Sequence, residues 1–156
     1  MGVSFALLDF GEQYPMDLSG VTIMETGGMK GRRKELTRLE LHNELRRLFK
    51  TDRIHSEYGM TEMMSQAYAT GGEVFTPAPT LKMLTTEITD PFSPTLPGRS
   101  GVLNIIDLAN IDTCSFIATE DVGRVWPDGR FSVLGRLDSA EIRGCNLMAP
   151  QGDSFE

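Results

Sequence analysis

Six consecutive residues, EYGMTE at 57–62, place polar and aromatic groups where they could act together. Tyr58 offers a flat ring for stacking on a base, and Gly59 permits a close approach of the backbone. Thr61 offers a hydroxyl group to a phosphate oxygen, and Glu62 offers a carboxylate to Mg²⁺, which favours few carboxylates plus phosphate oxygens. A turn at the end of a strand, with Thr61 capping a following helix, explains the same residues. The two interpretations are compatible, and this segment alone does not separate them.

The segment ETGGMKGRRK, residues 25–34, combines three glycines with four basic side chains just before a predicted helix. Glycines let backbone N–H groups approach an anion, and the N-terminus of a helix adds partial positive charge. The segment contains neither of two common phosphate-binding patterns, GxxxxGK[ST] and GxGxxG. An ordinary turn between a strand and a helix, with a solvated basic patch, is the favoured interpretation of this motif by itself.

A third group of candidate residues lies in ATEDVGRVWPDGRFSVLGRLD, residues 118–138. Asp121 follows a predicted strand, where its carboxylate could bind two vicinal ribose hydroxyls. Arg136 and Asp138 come at the end of the next predicted strand. Taken separately, each of these residues is explained as well by a turn or by a surface ion pair.

The first half of the chain predicts a βαβ unit. SGVTIMETGG (19–28) is β-rich and ends in a glycine turn, KELTRLELHNELRRLFK (34–50) carries leucines at helical spacing, and DRIHSEYG (52–59) predicts a second strand. The crossover makes such a pair of strands parallel and right-handed. We expect His42 on the helix surface, and His55 either beside the candidate site or half-buried in its strand.

The second half is β-rich. Strands are predicted in four segments, namely TLKMLTTEITD, GVLNIIDLA, TCSFIATEDVGRV and GRFSVLGRLD, with a tight turn at PDG. Cys114 is expected to be structural, inside an apolar strand. The predicted fold class is therefore α/β, a partial mixed sheet with a βαβ unit followed by a β-rich C-terminal half.

Length and charge exclude several classes of protein. The 156 residues suit one domain, and the net charge of −7 argues against a general nucleic-acid binder. No stretch approaches the roughly 20 apolar residues that span a bilayer. Cys114 and Cys145 lack metal-type spacing, and the start lacks the basic region of a signal peptide, so a reduced, cytoplasmic protein is expected. A serine hydrolase is disfavoured because no GxSxG motif occurs.

The order of the motifs carries more information than any one of them. YGxTE, then TxDxG, then GRxDxxxxRG resembles the adenylate-forming superfamily of acyl- and aryl-CoA synthetases and adenylation domains. More closely, HSEYGMTE, ATEDVGRV and LGRLDSAEIRGC are similar to the acyl-protein synthetase branch, which includes the fatty-acid–protein ligases of bacterial luminescence. The resemblance runs from Val3 to Met148, which implies the C-terminal half of an acyl-adenylating domain over 1–148 and a flexible tail over 149–156.

The resemblance implies a role for each matched residue in binding ATP or AMP with Mg²⁺. In chain order, these are Gly27 and Gly28 lining the adenine pocket, Tyr58 stacking on adenine beside Gly59, Thr61 at the α-phosphate, Glu62 holding magnesium, Asp121 on the ribose hydroxyls with Arg136 nearby, and Asp138 at the hinge that ends the large domain.

The implied reaction joins a carboxylic acid, in some relatives a fatty acid, to ATP, giving an acyl-adenylate and pyrophosphate. The acyl group then passes to a thiol. Cys145 is the candidate thiol, because this branch transfers the acyl group through a cysteine near its C-terminus, and neighbouring Arg143 would favour the thiolate. A small buried hydrophobe explains Cys145 equally well.

Two parts of the superfamily pattern have no match here, namely the early Ser/Thr/Gly-rich phosphate loop and the small C-terminal lid. The basic cluster at Lys30–Lys34 is the visible substitute for the loop. The chain is therefore interpreted as a truncated piece, as half of a split enzyme, or as a non-catalytic nucleotide-binding or assembly module. A parallel sheet cut in the middle exposes a long apolar edge, so we expect a missing N-terminal half or self-association to cover it.

Overall fold

The computed structural model describes residues 1–29, 31–34 and 36–137. The described part contains two helices and nine strands. In chain order they are β1 (Gly2–Val3), α1 (Ser4–Gln13), β2 (Ile23–Thr26), α2 (Arg38–Phe49), β3 (Ile54–Tyr58), β4 (Ala67–Ala69), β5 (Val74–Pro77), β6 (Leu81–Thr86), β7 (Ser100–Asp107), β8 (Phe116–Val125) and β9 (Phe131–Arg136). Neither helix of this part is long and apolar enough to cross a membrane.

All nine strands join one mixed sheet in the order β1-β2-β3-β4-β5-β9-β8-β7-β6. The first three strands are parallel, and every later pairing is antiparallel. The predicted α/β class, with a βαβ unit leading into a β-rich half, is confirmed. The edges differ from the expectation, because β1 has two residues and β6 belongs to an antiparallel meander, so no long parallel edge is exposed in the described part.

The βαβ unit consists of β2, α2 and β3. Helix α2 begins after Thr37, whose hydroxyl accepts from the Glu40 N–H while the Glu40 carboxylate accepts from the Thr37 N–H, a reciprocal capping box. The helix ends at Lys50 in the left-handed conformation. Its apolar stripe packs on the parallel strands in a core that includes Leu45 and Ile54, both fully buried.

Helix α1 was not predicted from the sequence. It covers the same core as α2 through the buried Leu8, and it crosses α2 closely at Gly11. A Cβ atom at Gly11 would lie only 2.9 Å from the ring of Phe49 and 3.0 Å from Cβ of Leu48. Glycine at this position therefore sets the distance between the two helices.

A second core fills the curved β-rich half. Its centre is formed by Phe75 and Phe131, whose rings stack with centroids 5.3 Å apart, together with Leu103 and Ile105. All four predicted strands of this half are present as β6 to β9. Strands β4 and β5 were missed, because each is too short to show a clear period.

Four elements meet at the buried carboxylate of Glu25 on β2. Its oxygens lie 2.7 Å from the Ser4 hydroxyl, 2.8 Å from the Arg38 guanidinium and 3.7 Å from Nε2 of His42. The same Nε2 lies 2.8 Å from the Ser56 hydroxyl on β3. The expectation that His42 is a surface residue is wrong, because its ring serves this network and is 2% exposed.

The electrostatics of Glu25 balance burial against hydrogen bonding. Burial alone would raise the pKa of its carboxyl, but the neighbouring His42 ring and Ser56 hydroxyl, together with the charge of Arg38, hold that pKa below the usual range. A buried charge whose partners lie on neighbouring elements fixes the positions of those elements, because a gap would leave it unpaired.

We expect Glu25→Gln to lower the free energy of unfolding by about 3 kcal/mol, because the substitution leaves the Arg38 charge without its carboxylate partner. Glu44→Gln on the exposed face of α2 is the matched control, since the pair of Glu44 with Arg47 lies on the surface. Urea unfolding followed by circular dichroism measures both variants. Equal stabilities for the two variants would contradict a structural role for the network.

Candidate functional site

The candidate site is built at the carboxyl ends of the parallel strands β2 and β3. The register pairs Thr26, the last residue of β2, with Glu57. The glycine turn and the EYGMTE segment therefore leave the sheet side by side. In open α/β sheets, ligands bind in the crevice outside the carboxyl ends of parallel strands.

The glycine turn presents bare backbone to solvent. Gly27 has φ of 70°, a conformation that favours glycine, and its carbonyl oxygen lies 3.1 Å from the Ser4 hydroxyl. A Cβ added at Gly28 would meet nothing within 4 Å. Both glycines are exposed, so the backbone here is accessible to a flat ligand.

The basic residues beside this turn are largely paired within the chain. Arg33 donates to Asp9 at 2.7 Å and to Glu12 at 3.0 Å on α1, and the hydrogen bond to Glu12 raises the pKa of Arg33. Arg32 lies over the ring of Phe5, 5.0 Å from its centroid. Lys30 lies outside the described residues. Of the predicted basic cluster, Arg33 therefore ties the turn to α1 and does not present its charge to the crevice.

The EYGMTE segment leads into a turn and then into β4. Thr61 and Glu62 lie in this turn with exposed side chains. No helix follows before β4, so the interpretation of Thr61 as a helix cap is wrong. The carbonyl oxygen of Glu62 accepts a 2.7 Å hydrogen bond from the amide of Asn110, which holds the backbone of the turn in place.

Asp107, at the end of β7, anchors the residues that follow this turn. Its fully buried carboxylate accepts from the N–H groups of Met64 and Ser65 at 2.8 and 2.9 Å, and from the Ser65 hydroxyl at 2.6 Å. It also accepts from the N–H of Ala109 at 3.1 Å. Burial would raise the pKa of Asp107, but these donors, Ser65 first, hold it below the usual range.

Tyr58 points into the β-rich core. Its ring is 9% exposed and lies edge-on to Phe131 and Phe75, with centroids 5.3 and 6.0 Å away. Its hydroxyl donates a 2.8 Å hydrogen bond to Oδ2 of Asp121. The ring therefore offers little surface to a base, and the predicted stacking on adenine stays a prediction.

Asp121 and Arg136 face each other on neighbouring strands. They are paired in the register of β8 and β9, next to a bulge at Val122 and Gly123. Arg136 donates to Glu120 at 2.7 Å. Bulges often re-aim side chains at functional sites, and this one lies beside the half-buried Asp121.

The structure places several of the described candidate residues near one another. Gly27, Gly28 and Gly59 lie on adjacent strand ends, and Tyr58 connects this edge to Asp121. His55 is half-buried in β3.

Other candidate residues are placed elsewhere. Asp138, Arg143 and Cys145 lie outside the described residues. Cys114 is exposed and precedes β8, so the expectation that it lies inside an apolar strand is wrong. Within the described ranges, no three His, Cys, Asp or Glu side chains cluster to hold a metal ion.

Comparison with known proteins identifies the fold. Neither a protein-family model nor a curated protein matches the sequence. Among solved structures, O-succinylbenzoate coenzyme A synthetase (MenE) of Bacillus subtilis in complex with ATP and magnesium has a TM-score of 0.59 and 19% identity, over 87% of this chain and 31% of that one. The fold is that of part of an adenylate-forming domain.

Two further solved structures share this fold. The apo MbtA of Mycobacterium smegmatis has a TM-score of 0.59 and 15% identity, over 86% of this chain and 28% of that one. The ATP-bound MatB of Rhodopseudomonas palustris has a TM-score of 0.54 and 14% identity, over 85% and 33%. This chain spans about a third of the length of these proteins. At such identities the likeness concerns the fold alone.

Sequence reasoning missed the residues that hold the site in place, namely Glu25, Asp107 and Asn110. A signal for one of them was present, because Asp107 ends an apolar strand and a carboxylate there needs several donors when it is buried. The donors themselves come from a loop 42 and 43 residues earlier in the chain, which no local pattern indicates.

We expect Asp107→Asn to lower the free energy of unfolding at pH 7 by about 2 kcal/mol, because the new amide group turns a donor toward backbone N–H groups. The lowered pKa of Asp107 makes its contribution complete above the unfolded-state pKa of about 3.9, and the contribution is lost as pH falls through the folded-state pKa.

Urea titrations of wild type and variant between pH 7 and pH 3 measure the difference, which should shrink below about pH 4. Asp112→Asn, an exposed carboxylate five residues away, is the control. A difference that stays constant down to pH 3 would exclude the buried carboxylate as its source.

Proposed function

We propose that this chain is part of an ATP-dependent acyl-adenylating ligase. The observation that carries the proposal is the convergence of the glycine turn, the EYGMTE segment and Asp121 at the carboxyl edge of two parallel strands, in a fold of the adenylate-forming type. The similar structure of MenE is a complex with ATP and magnesium ion. The proposed reaction joins a carboxylate to ATP, forming an acyl-adenylate with release of pyrophosphate.

The proposed roles of the residues come from the resemblance, and their positions in the structure support them. Gly27 and Gly28 offer backbone to the adenine ring, and Asp121 offers its carboxylate to the ribose hydroxyls. Thr61 offers a hydroxyl to the α-phosphate from a turn whose backbone is held at Glu62 by Asn110.

Magnesium fits the chemistry of Glu62, because this exposed carboxylate stands on a fixed backbone and Mg²⁺ binds through few protein carboxylates plus phosphate oxygens. When bound, the ion would offset the charge that develops on the phosphates. Arg136 is proposed to lie beside the ribose site through its pairing with Asp121 in the sheet register.

The finer assignment is the acyl-protein synthetase branch, with Cys145 as the thiol that receives the acyl group. It is supported by the RGC motif and by the order of the three motifs in the sequence. A cytoplasmic location and self-association, or association with an N-terminal half, belong to the same proposal.

A second candidate function is a nucleotide-binding module without catalysis. It is favoured by the internal pairing of the basic residues, because Arg33 and Arg38 are engaged by Glu12 and Glu25. Departure of pyrophosphate needs charge stabilisation on the β- and γ-phosphates.

The two functions are separated by two measurements on the full chain. Carboxylate-dependent exchange of radiolabelled pyrophosphate into ATP, with and without the N-terminal half of a related synthetase, tests catalysis. Calorimetry with AMP tests binding. Exchange supports the ligase, AMP binding without exchange supports the module, and the absence of both results would overturn the two functions together.

We expect Glu62→Gln to weaken Mg²⁺-dependent ATP binding by about tenfold or more, since even outer-sphere changes at metal sites cost 10- to 100-fold in affinity. Binding of AMP without Mg²⁺ should not change. Calorimetry with ATP at several Mg²⁺ concentrations gives the comparison, and Glu87→Gln, an exposed carboxylate beyond β6, is the control. Equal losses with and without Mg²⁺ would argue against a metal ligand.

We expect Gly28→Ala to leave stability unchanged, because the added methyl group meets open space, and to weaken AMP binding by about tenfold, since a methyl group forced into a tight contact costs ~1–3 kcal/mol. Gly20→Ala is the matched control, because its Cβ also meets open space but lies away from the crevice. Calorimetry and thermal unfolding measure both effects. Unaltered AMP affinity in Gly28→Ala would remove the glycine turn from the adenine pocket.

A further inference from the structure

A side-chain hydrogen bond joins β3 to β8 at the candidate site. The Tyr58 hydroxyl on β3 donates to Oδ2 of Asp121 on β8, 63 residues later in the chain. Three strands, β4, β5 and β9, separate β3 from β8 in the sheet order. The sheet must therefore curve, because the end of β3 lies within side-chain reach of β8. The hydrogen bond crosses the concave face of the sheet.

The donor of this bond is held rigidly. Phe131 and Phe75 surround the Tyr58 ring in the core, so the direction of its hydroxyl is fixed by packing. Burial and the charge of Asp121 raise the pKa of Tyr58 far above its ordinary value, so the hydroxyl keeps its proton at physiological pH. The tyrosine is thus a permanent donor at a fixed position.

The acceptor is only partly covered by the described residues. Asp121 is half-buried, and its own N–H donates to the Thr119 hydroxyl at 3.0 Å. The hydrogen bond from Tyr58 to Oδ2 restrains the orientation of the carboxylate. A carboxylate oriented in this way presents one oxygen to hydroxyl donors, and vicinal hydroxyls of a ribose are donors of that kind.

We propose that Tyr58 is a positioning residue that orients Asp121 toward the vicinal hydroxyls of a ribose, and that it does so through its hydroxyl group. The proposal rests on the proposed nucleotide site and adds the source of its sugar specificity. It explains why a tyrosine ring is buried at the end of β3, where phenylalanine would fill the same core.

The experiment compares AMP with 2′,3′-dideoxy-AMP by calorimetry on the full chain. Wild type should bind AMP at least about tenfold more tightly, the effect of hydrogen bonds to a charged acceptor. Tyr58→Phe should lower this ratio by about fivefold or more, while its affinity for dideoxy-AMP stays within about twofold of wild type. A loss of packing alone would weaken both ligands equally.

Three further variants sharpen the test. Tyr68→Phe removes a hydroxyl from the exposed neighbour on β4 and should keep the wild-type ratio. Asp121→Asn should lose the ratio with Tyr58 intact, and adding Tyr58→Phe to it should cause no further loss. Replacing Tyr58 with 4-fluorophenylalanine, which fills the hydroxyl's space without donating a proton, should behave as Tyr58→Phe and serves where that variant folds poorly.

The outcomes separate this inference from the proposed function. If wild type binds neither AMP nor ATP, the nucleotide site itself is overturned. If wild type prefers AMP over the dideoxy compound and Tyr58→Phe keeps that preference, the site stands and the positioning role of Tyr58 is overturned. A joint loss of preference in Tyr58→Phe and Asp121→Asn supports the role.

Discussion

A carboxylate buried without water must be paired, and this constraint at Glu25 organises the first half of the molecule. The charge lies on a central parallel strand, and its partners come from α1, α2 and, through His42, β3. A partner stabilises the Glu25 carboxylate only when it lies close to it. The positions of the two helices and of β3 relative to β2 are therefore restricted. Because Ser4 also reaches the carbonyl of Gly27, the same network sets the glycine turn.

In the second half, the buried carboxylate of Asp107 has the same structural role. Another buried carboxylate ends a strand and collects donors from a distant loop, and that loop is the continuation of EYGMTE. The Glu25 network therefore holds the glycine turn, and Asp107 holds the loop that follows EYGMTE. The hydrogen bond between Tyr58 and Asp121 then connects β3 to β8 across the curved sheet. Glu62, an exposed group that is proposed to bind a ligand, stands on backbone that Asn110 holds and that Asp107 anchors two residues later.

The sequence predicted the helices and strands better than the side-chain contacts between them. The βαβ unit and strands β6 to β9 were predicted, because leucine spacing in α2 and alternation in β6 and β7 follow from packing on one face. His42 was misplaced, since a histidine on a helix looks alike whether it meets water or a buried acid. The orientation of Tyr58 was equally invisible, because Phe131 and Asp121 approach it only through the curvature of the sheet.

The pairing of charged side chains in the described part limits which phosphate groups the candidate site could stabilise. The groups proposed for adenine, ribose and magnesium are carboxylates, hydroxyls and bare backbone, and they suit a nucleoside monophosphate with one metal-binding side chain. The guanidinium groups of Arg33 and Arg38 pair with Glu12 on α1 and Glu25 on β2. Moving Arg38 away would leave the buried Glu25 carboxylate without its cationic partner. In the proposed reaction, the charge that stabilises departing pyrophosphate therefore has to come from groups other than these two arginines. The proposed binding of AMP and the proposed turnover of ATP thus depend on different groups.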